Sequence, residues 1–300
     1  KNGPSPDWLA RRLIAIGLRP VSALVDVTNL MTVGLGRPMH VFDADAVQGN
    51  LTIRLAQTGE SLRALDGNDY KLDPEICVVA DEKEVLSLAG IVGGVASGCT
   101  DDTTNVFLES AIFDPVRTAM TGRRLNVDTD SRHRFERGVD AAMVAPCLDM
   151  ATRLILEICG GQASECVTAG AEASRNITVP FRPFRVASLG GVDVPEPQAL
   201  NILEGLGFES QKKGDGFQIR VPSWRNDVHC EADLVEEVLR VHGYDAIPAI
   251  PLAADPALPR TSAGAPARRR VQFVRRSLAA RGMVEAVTWS FLAQGEAEAF

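Results

Sequence analysis

The sequence predicts an α+β protein in which a β-rich domain is followed by a small winged-helix-like domain. Three observations carry this. Short alternating apolar segments separated by Gly-rich turns run from Val21 to about Ala169, one long amphipathic stretch covers Ala141–Cys159, and a helix followed by a hairpin pattern covers Glu196–Pro222. At 300 residues, 45% of them hydrophobic, the chain can fill two cores of ordinary size.

The elements follow in order. Pro6-Asp7 opens a helix whose apolar side carries Trp8, Leu9, Leu13, Ile14 and Ile16, and Gly17 ends it. Val21–Val27 is apolar and β-branched and is expected to be a buried strand ending at Thr28 and Asn29. Gly34, Gly36 and Pro38 then turn the chain towards His40, and Val41-Phe42 anchors it, so that His40 faces the same cavity as Thr28 and Asn29. LTIRLA (Leu51–Ala56) and ICVVAD (Ile76–Asp81) read as strands. In Ala141–Cys159 the residues Met143, Val144, Cys147, Leu148, Ala151, Leu154, Ile155 and Ile158 form a helical stripe stopped by Gly160-Gly161.

A second unit begins near Arg175, with a helix at Glu196–Leu206 and a hairpin turning at Gly214-Asp215-Gly216. Ala246–Ala267, rich in Pro, Ala and Gly, reads as a linker, and RRRVQFVRRSLAARGMVEAVTWSF (Arg268–Phe291) starts another helix and strand.

Composition excludes several classes. No apolar run approaches the roughly 20 residues that span a bilayer, and KNGPSPDWLARR lacks the apolar centre of a signal peptide, so a cytoplasmic protein is expected. Because position 1 is Lys, the chain is expected to be a segment of a longer one. The six cysteines form no CxxC pair and no zinc-type Cys/His set, which points to reduced core residues. A net charge of -8 argues against coating nucleic acid by bulk charge. Local basic clusters remain, at Arg123, Arg124, Arg132, Arg134 and Arg137 and again across Arg260–Arg281; each is either a solvated face or a phosphate contact.

Four motifs in a fixed order carry a resemblance: VDVTNLMTVGLGRPMHVFDAD from Val25, SLAGIVGG (Ser87–Gly94), FLESAIFDP (Phe107–Pro115) and TDSRHRFERGVD (Thr129–Asp140). Together they resemble the B3/B4 module of the bacterial phenylalanyl-tRNA synthetase beta chain. VPSWRNDVHCEADLVEEVLRVHGYDAIP (Val221–Pro248) resembles its B5 module. The resemblance implies a helix over 1–20, a B3/B4 tRNA-editing domain over 21–172, B5 over 173–250, a linker over 251–267, and the start of the catalytic-like B6/B7 domain over 268–300.

It also implies an activity: hydrolysis of tyrosine wrongly attached to phenylalanine tRNA. Carried over position by position, the catalytic set is Thr28, Asn29 and His40, and the substrate-binding set is Ala89, Gly90, Gly93, Gly94, Glu109, Thr129 and Ser131. These types suit the chemistry, because ester hydrolysis needs a held water, a group to order or take its proton, and donors for the developing oxyanion. His40 serves either as base or as orienter. Glu109 would accept the phenolic hydroxyl and so select tyrosine over phenylalanine; the plainer alternative is an ion pair with Arg117 or Arg123. Where the family has a small residue, typically Ala, and then Ser, this chain has Ser131 and Arg132, and Arg132 would either meet a tRNA phosphate or point away.

In the second unit, Leu234, Val235, Val238 and Val241 make an apolar stripe, while Asp233, Glu236 and Glu237 share a polar face. With Asp227 they match the family's magnesium residues, a site the family completes with its alpha subunit, so Mg²⁺ is expected to bind weakly to this chain alone. ATP belongs to the whole enzyme only. The implied partners are phenylalanine tRNA and the alpha subunit, in an α2β2 assembly. The alternative function is a noncatalytic scaffold that docks tRNA and the alpha subunit. Direct DNA binding through the winged-helix-like unit is disfavoured by its acidic balance.

Overall fold

A computed structural model describes residues 2–170, 176–251 and 265–299. Residues 1–248 pack as one compact unit and 249–300 as another. The boundary expected at 172–173 and most of the linker expected at 251–267 lie outside the described residues.

Helix α1 (Asp7–Ala15) opens the first unit, with Pro6 extended just ahead of it. Only Leu9 and Leu13 of its apolar set are buried; Trp8, Ile14 and Ile16 face outward. Those two leucines join Leu24, Val27, Met31, Ala151 and Ile155 in one core, at about 2 kcal/mol for each fully buried aliphatic side chain. The opening helix thus packs into the core that α2 residues share with Ala151 and Ile155.

The strand expected at Val21–Val27 is instead the start of helix α2 (Ala23–Leu35), which ends at Gly36 in the left-handed conformation. Two causes favour the helix. Ala23, Leu24, Val27 and Met31 are buried at helical spacing against α1 and against α5 (Val144–Cys159), so packing outweighs the small β preference of Val25 and Val27. The threonine hydroxyls are satisfied within the helix: Thr28 Oγ1 donates to Val25 O at 2.8 Å, and Thr32 Oγ1 to Thr28 O at 2.8 Å. Buried Asp26 secures the helix start by accepting from Val21 N and Ser5 Oγ.

Eight short strands follow: β1 (His40–Asp43), β2 (Thr52–Leu55), β3 (Ser61–Arg63), β4 (Asp69–Lys71), β5 (Cys77–Ala80), β6 (Val85–Leu88), β7 (Val92–Gly93) and β8 (Val106–Glu109). All their pairings are antiparallel. β2-β5-β6-β7 form a four-stranded sheet, β3-β4 a hairpin, and β1 pairs with the distant β8. Helices α3 (Pro115–Leu125) and α4 (Asp130–Phe135) come next, each with a side-chain cap: Asp114 accepts from Arg117 N and Thr129 from Arg132 N. A 3-10 turn at Ala141–Met143 leads into α5.

The second domain has its own core, drawn wholly from residues 179–239. It contains β9 (Thr178–Phe181), α6 (Phe184–Gly190), α7 (Glu196–Gly205), the hairpin β10 (Glu209–Lys213) and β11 (Gly216–Arg220), and α8 (Glu231–His242). The sheet order is β10-β11-β9, and the helices cover it as the winged-helix-like reading expects. In α8, Leu234, Val235, Val238 and Leu239 are buried, while Val241 is half exposed.

The unit over 249–300 contains α9 (Ala265–Ala279) and α10 (Gln294–Ala297). The strand expected near its end does not form among the described residues, and Val284, Val287, Trp289 and Phe291 are each more than nine-tenths exposed. A lone β segment has no neighbour to pair its backbone groups, and no strand accompanies it among the described residues of this unit.

Candidate functional site

The site is built on the β1–β8 pair. In this ladder His40 stands opposite Glu109, Val41 opposite Leu108 and Phe42 opposite Phe107. Val41 points into the core built by α1, α2 and α5, so alternation puts His40 and the fully buried Phe42 together on the opposite face of β1, where Glu109, directly across the ladder, joins them.

Both residues line a cavity of about 100 Å³. Pro38 and Met39 extend its wall from the β1 side; Ser87, Leu88, Gly90, Ile91, Val92 and Gly93 form another wall; Phe113, Ser131 and Phe135 complete it. The two phenylalanine rings meet edge-on with centroids 5.0 Å apart.

The glycines are there for room. A Cβ on Gly93 would lie 2.4 Å from His40 Cε1, and one on Gly90 would lie 2.7 Å from the Phe113 ring and 2.9 Å from that of Phe135. Gly90 also has φ +71°, which side-chain-bearing residues rarely adopt. Ser131 Oγ donates to Gly90 O at 3.0 Å and fastens α4 to this wall.

Burial sets the electrostatics. It withholds water from an imidazolium and pulls the His40 pKa down to about 4, so the ring is neutral at physiological pH. Its Nε2 is buried and has no hydrogen-bond partner among the described residues, while the ring edge rests on Phe42 with centroids 4.3 Å apart. Desolvation pushes Glu109 the other way, up to about 7, partly opposed by the positive charge of Arg37. The cavity therefore offers a neutral imidazole and a carboxyl group that changes charge near neutrality.

Of the residues proposed from sequence, His40, Gly90, Gly93, Glu109 and Ser131 come together around the cavity. The others do not line it. Thr28 and Asn29 sit in α2, with the Thr28 hydroxyl bonded back into its own helix. Ala89 is buried behind the wall and its N–H donates to Cys77 O; Gly94 N donates to Leu86 O. Thr129 caps α4 and donates to Ile91 O at 2.8 Å. The strand misreading at Val21–Val27 explains the first two, since a strand would have ended at Thr28 and Asn29, whereas a helix carries them past the cavity.

Arg132 points away from the site: its Nε bonds Glu136 at 3.1 Å and its Nη1 donates to Val127 O at 2.5 Å. Arg117 reaches Glu75, so the Glu109–Arg117 ion pair does not form. Sequence reasoning passed over Ser87, Phe113, Phe135 and Arg37. All four lay inside the quoted motifs, and the signal available for Arg37 was its place in GRPMH, three residues ahead of His40.

Three of the four acids of the second domain hold arginines or a helix end. Asp227 takes Arg225 in two bonds, 2.8 and 2.6 Å, and Glu237 takes Arg225 Nη1 at 2.5 Å and Arg240 Nη2 at 2.9 Å. These two guanidinium groups, Arg240 first, hold Glu237 down at about 2. Asp233 accepts His229 N and Cys230 N at the start of α8, and Glu236 is exposed. Among the described residues no three His, Cys, Asp or Glu side chains gather to hold a metal ion. The expected magnesium set does not fit this disposition, because Arg225 already supplies the positive charge between Asp227 and Glu237.

Comparison with known proteins follows the same division. The B3/4 domain family model matches residues 1–160 and the tRNA synthetase B5 domain model matches residues 179–244. Over 300 residues the chain is 53% identical to the phenylalanine–tRNA ligase beta subunit of Paramagnetospirillum magneticum, and over 301 residues 50% identical to that of Bradyrhizobium diazoefficiens. All of this chain is covered in each case but only 37% of the relative, so the chain spans little more than a third of the length of the curated relatives it matches. A crystal structure of an N-terminal fragment of the phenylalanyl-tRNA synthetase beta-subunit from Pyrococcus horikoshii is 15% identical, with a TM-score of 0.36 over 74% of this chain and 65% of that one, a likeness too distant to bear on the site.

Proposed function

Because the chain belongs to the phenylalanine–tRNA ligase beta subunits and carries their B3/4 and B5 domains in order, we propose that its first domain hydrolyses tyrosine misattached to phenylalanine tRNA. The observation that carries this reading is the facing pair of His40 and Glu109 in one small, aromatic-walled cavity. Phe113 and Phe135 give an aromatic side chain apolar contact, and Glu109 gives its hydroxyl an acceptor. Phenylalanine would leave that acceptor unpaired.

His40 acts as orienter in this scheme. A ring whose conjugate acid has a pKa of about 4 is a weak base at neutral pH, but its neutral nitrogens can hold a water or the ester carbonyl. The unpartnered Nε2 is the atom for this. In this scheme the side-chain-free backbone at Gly90 and Gly93, both in the cavity wall, is where a developing oxyanion is met.

The second domain is a structural and subunit-docking module in this reading, with phenylalanine tRNA and the alpha subunit of an α2β2 ligase as partners and the cytoplasm as its place. Among the described residues no helix is long and apolar enough to cross a membrane. One observation favours the scaffold alternative: Thr28 and Asn29 stand outside the cavity lining, which leaves His40 without those helpers. Release of tyrosine from tyrosyl-tRNA(Phe) by the chain, lost in His40→Ala and no longer selective for tyrosine over phenylalanine in Glu109→Ala, supports editing; absence of release with intact tRNA binding supports the scaffold.

A further inference from the structure

Arg37 is the largest side chain to be fully buried, at 1% exposure, and burying a guanidinium is costly unless its donors and its charge are answered. Its donors are answered by neutral groups. Nε donates to Ser110 Oγ at 3.3 Å, Nη2 to Ala111 O at 2.5 Å and Nη1 to Asp140 O at 3.4 Å. Ser110 passes the contact on, donating to Val144 O at 3.0 Å.

The placement matters because Arg37 lies three residues before His40, while two of its acceptors, Ser110 and Ala111, immediately follow Glu109. One rigid, planar group thus ties the chain entering β1 to the chain leaving β8, the two strands that set His40 against Glu109.

The charge is answered from a distance. The charged or titratable groups around Arg37 are Glu109, Asp140 and Cys147, and the Asp140 carboxylate is engaged by Ala142 N. Glu109 in turn faces Arg37, the neutral His40 across the ladder, and the Cys77 thiol on β5. Of these, only Arg37 favours the carboxylate form of Glu109.

We propose that Arg37 is a positioning residue for the cavity, fixing the His40–Glu109 register and keeping Glu109 an ionised acceptor, so that it sets the pH range over which a hydroxylated aromatic side chain is told from a plain one. This rests on the editing reading above. A carboxylate accepts a phenolic hydroxyl more strongly than a protonated carboxyl does, so moving the Glu109 titration moves the discrimination with it.

The test is an NMR titration of the Glu109 side-chain carboxyl in the wild-type chain, Arg37→Gln and Arg37→Lys, with free L-tyrosine and L-phenylalanine binding measured from pH 5.5 to 9. Gln keeps an N–H donor without charge, and Lys keeps the charge. In Arg37→Gln the Glu109 midpoint should rise by about one pH unit, and the tyrosine preference at pH 7 should drop several-fold and return at higher pH, while Arg37→Lys stays within about half a unit of wild type. An unchanged Glu109 midpoint in folded Arg37→Gln overturns the inference. If that variant does not fold, a Glu109 midpoint in Arg37→Lys displaced upward by a unit or more overturns it, and one near wild type supports it. If the wild-type chain binds both amino acids equally, the editing reading fails, and the Glu109 midpoints still decide whether Arg37 acts on it.

Discussion

His40 and Glu109 occupy opposing positions in the β1–β8 ladder, and the same burial moves their titrations in contrary directions, towards about 4 and about 7. Between those values the cavity holds two largely uncharged groups, one of which gains a negative charge as the pH passes neutrality. Its hydrogen-bonding capacity is thus set by a narrow pH interval.

Removing the Glu109 carboxylate should remove selectivity more than affinity. Glu109→Ala is expected to bind tyrosine and phenylalanine equally, a loss of about 1.5–3 kcal/mol of preference if the hydroxyl meets an ionised acceptor. Isothermal titration with both amino acids at pH 8 checks this, and a preference surviving in the variant counts against the assignment.

The wall glycines can be tested without touching a polar group. Gly93→Ala places a methyl against His40 Cε1 and should displace the ring, with overpacking costs of about 1–3 kcal/mol and loss of tyrosyl-tRNA hydrolysis in a chain that still folds. Gly90→Ala should cost more, since it adds a strained φ to a collision with two aromatic rings. Urea unfolding of both variants ranks them.

His40 also links folding to acidity. Its folded-state pKa lies below the ordinary value of 6.5, so its contribution is complete above pH 6.5 and is lost as the pH falls through about 4. Glu109, raised by burial, works in the opposite sense: its contribution is complete below the ordinary carboxylate range and is lost as the pH rises through about 7. Comparing wild type with His40→Gln between pH 7 and 4 isolates the histidine. The variant should lose less stability over that range, by on the order of a hundredfold in the folding equilibrium; parallel curves would contradict the burial argument.

In the second domain, Glu237→Gln should cost about 2 kcal/mol, because it takes the charged acceptor away from Arg225 Nη1 and from half-exposed Arg240, while Asp227 still holds Arg225. The wild-type advantage is present above the ordinary carboxylate range and is lost as the pH falls towards about 2. Thermal unfolding of this chain should be insensitive to EDTA or to millimolar magnesium. A rise of several degrees on adding magnesium would mean that the metal displaces Arg225.

Much of this organisation could be read from the sequence, and the failures have physical causes. The α5 stripe, the Glu196 helix and the hairpin at Gly214 were legible because each is held by local signals: period, cap and turn residues. Val21–Val27 was not, because its β-branched content argued for a strand while contacts with α1 and α5, distant in sequence, favoured a helix. The motif order brought out His40, Glu109 and Ser131, yet the ladder that joins positions 40 and 109 leaves no trace in either motif. The acids near α8 share one side of a helical wheel, but Arg225, in the preceding loop, decides what two of them do.

The β1–β8 pairing has a kinetic corollary. The chain from Ala44 to Asn105 hangs as one insert between the two strands, so the seam that creates the cavity closes a long loop and is entropically the most expensive strand pairing of the domain to nucleate. The hairpin β3–β4 and the sheet β2-β5-β6-β7 close much shorter loops inside that insert. During refolding the sheet should therefore gain protection from hydrogen exchange before tyrosine binding returns, so that competence for the ligand marks the completion of the fold and not its beginning.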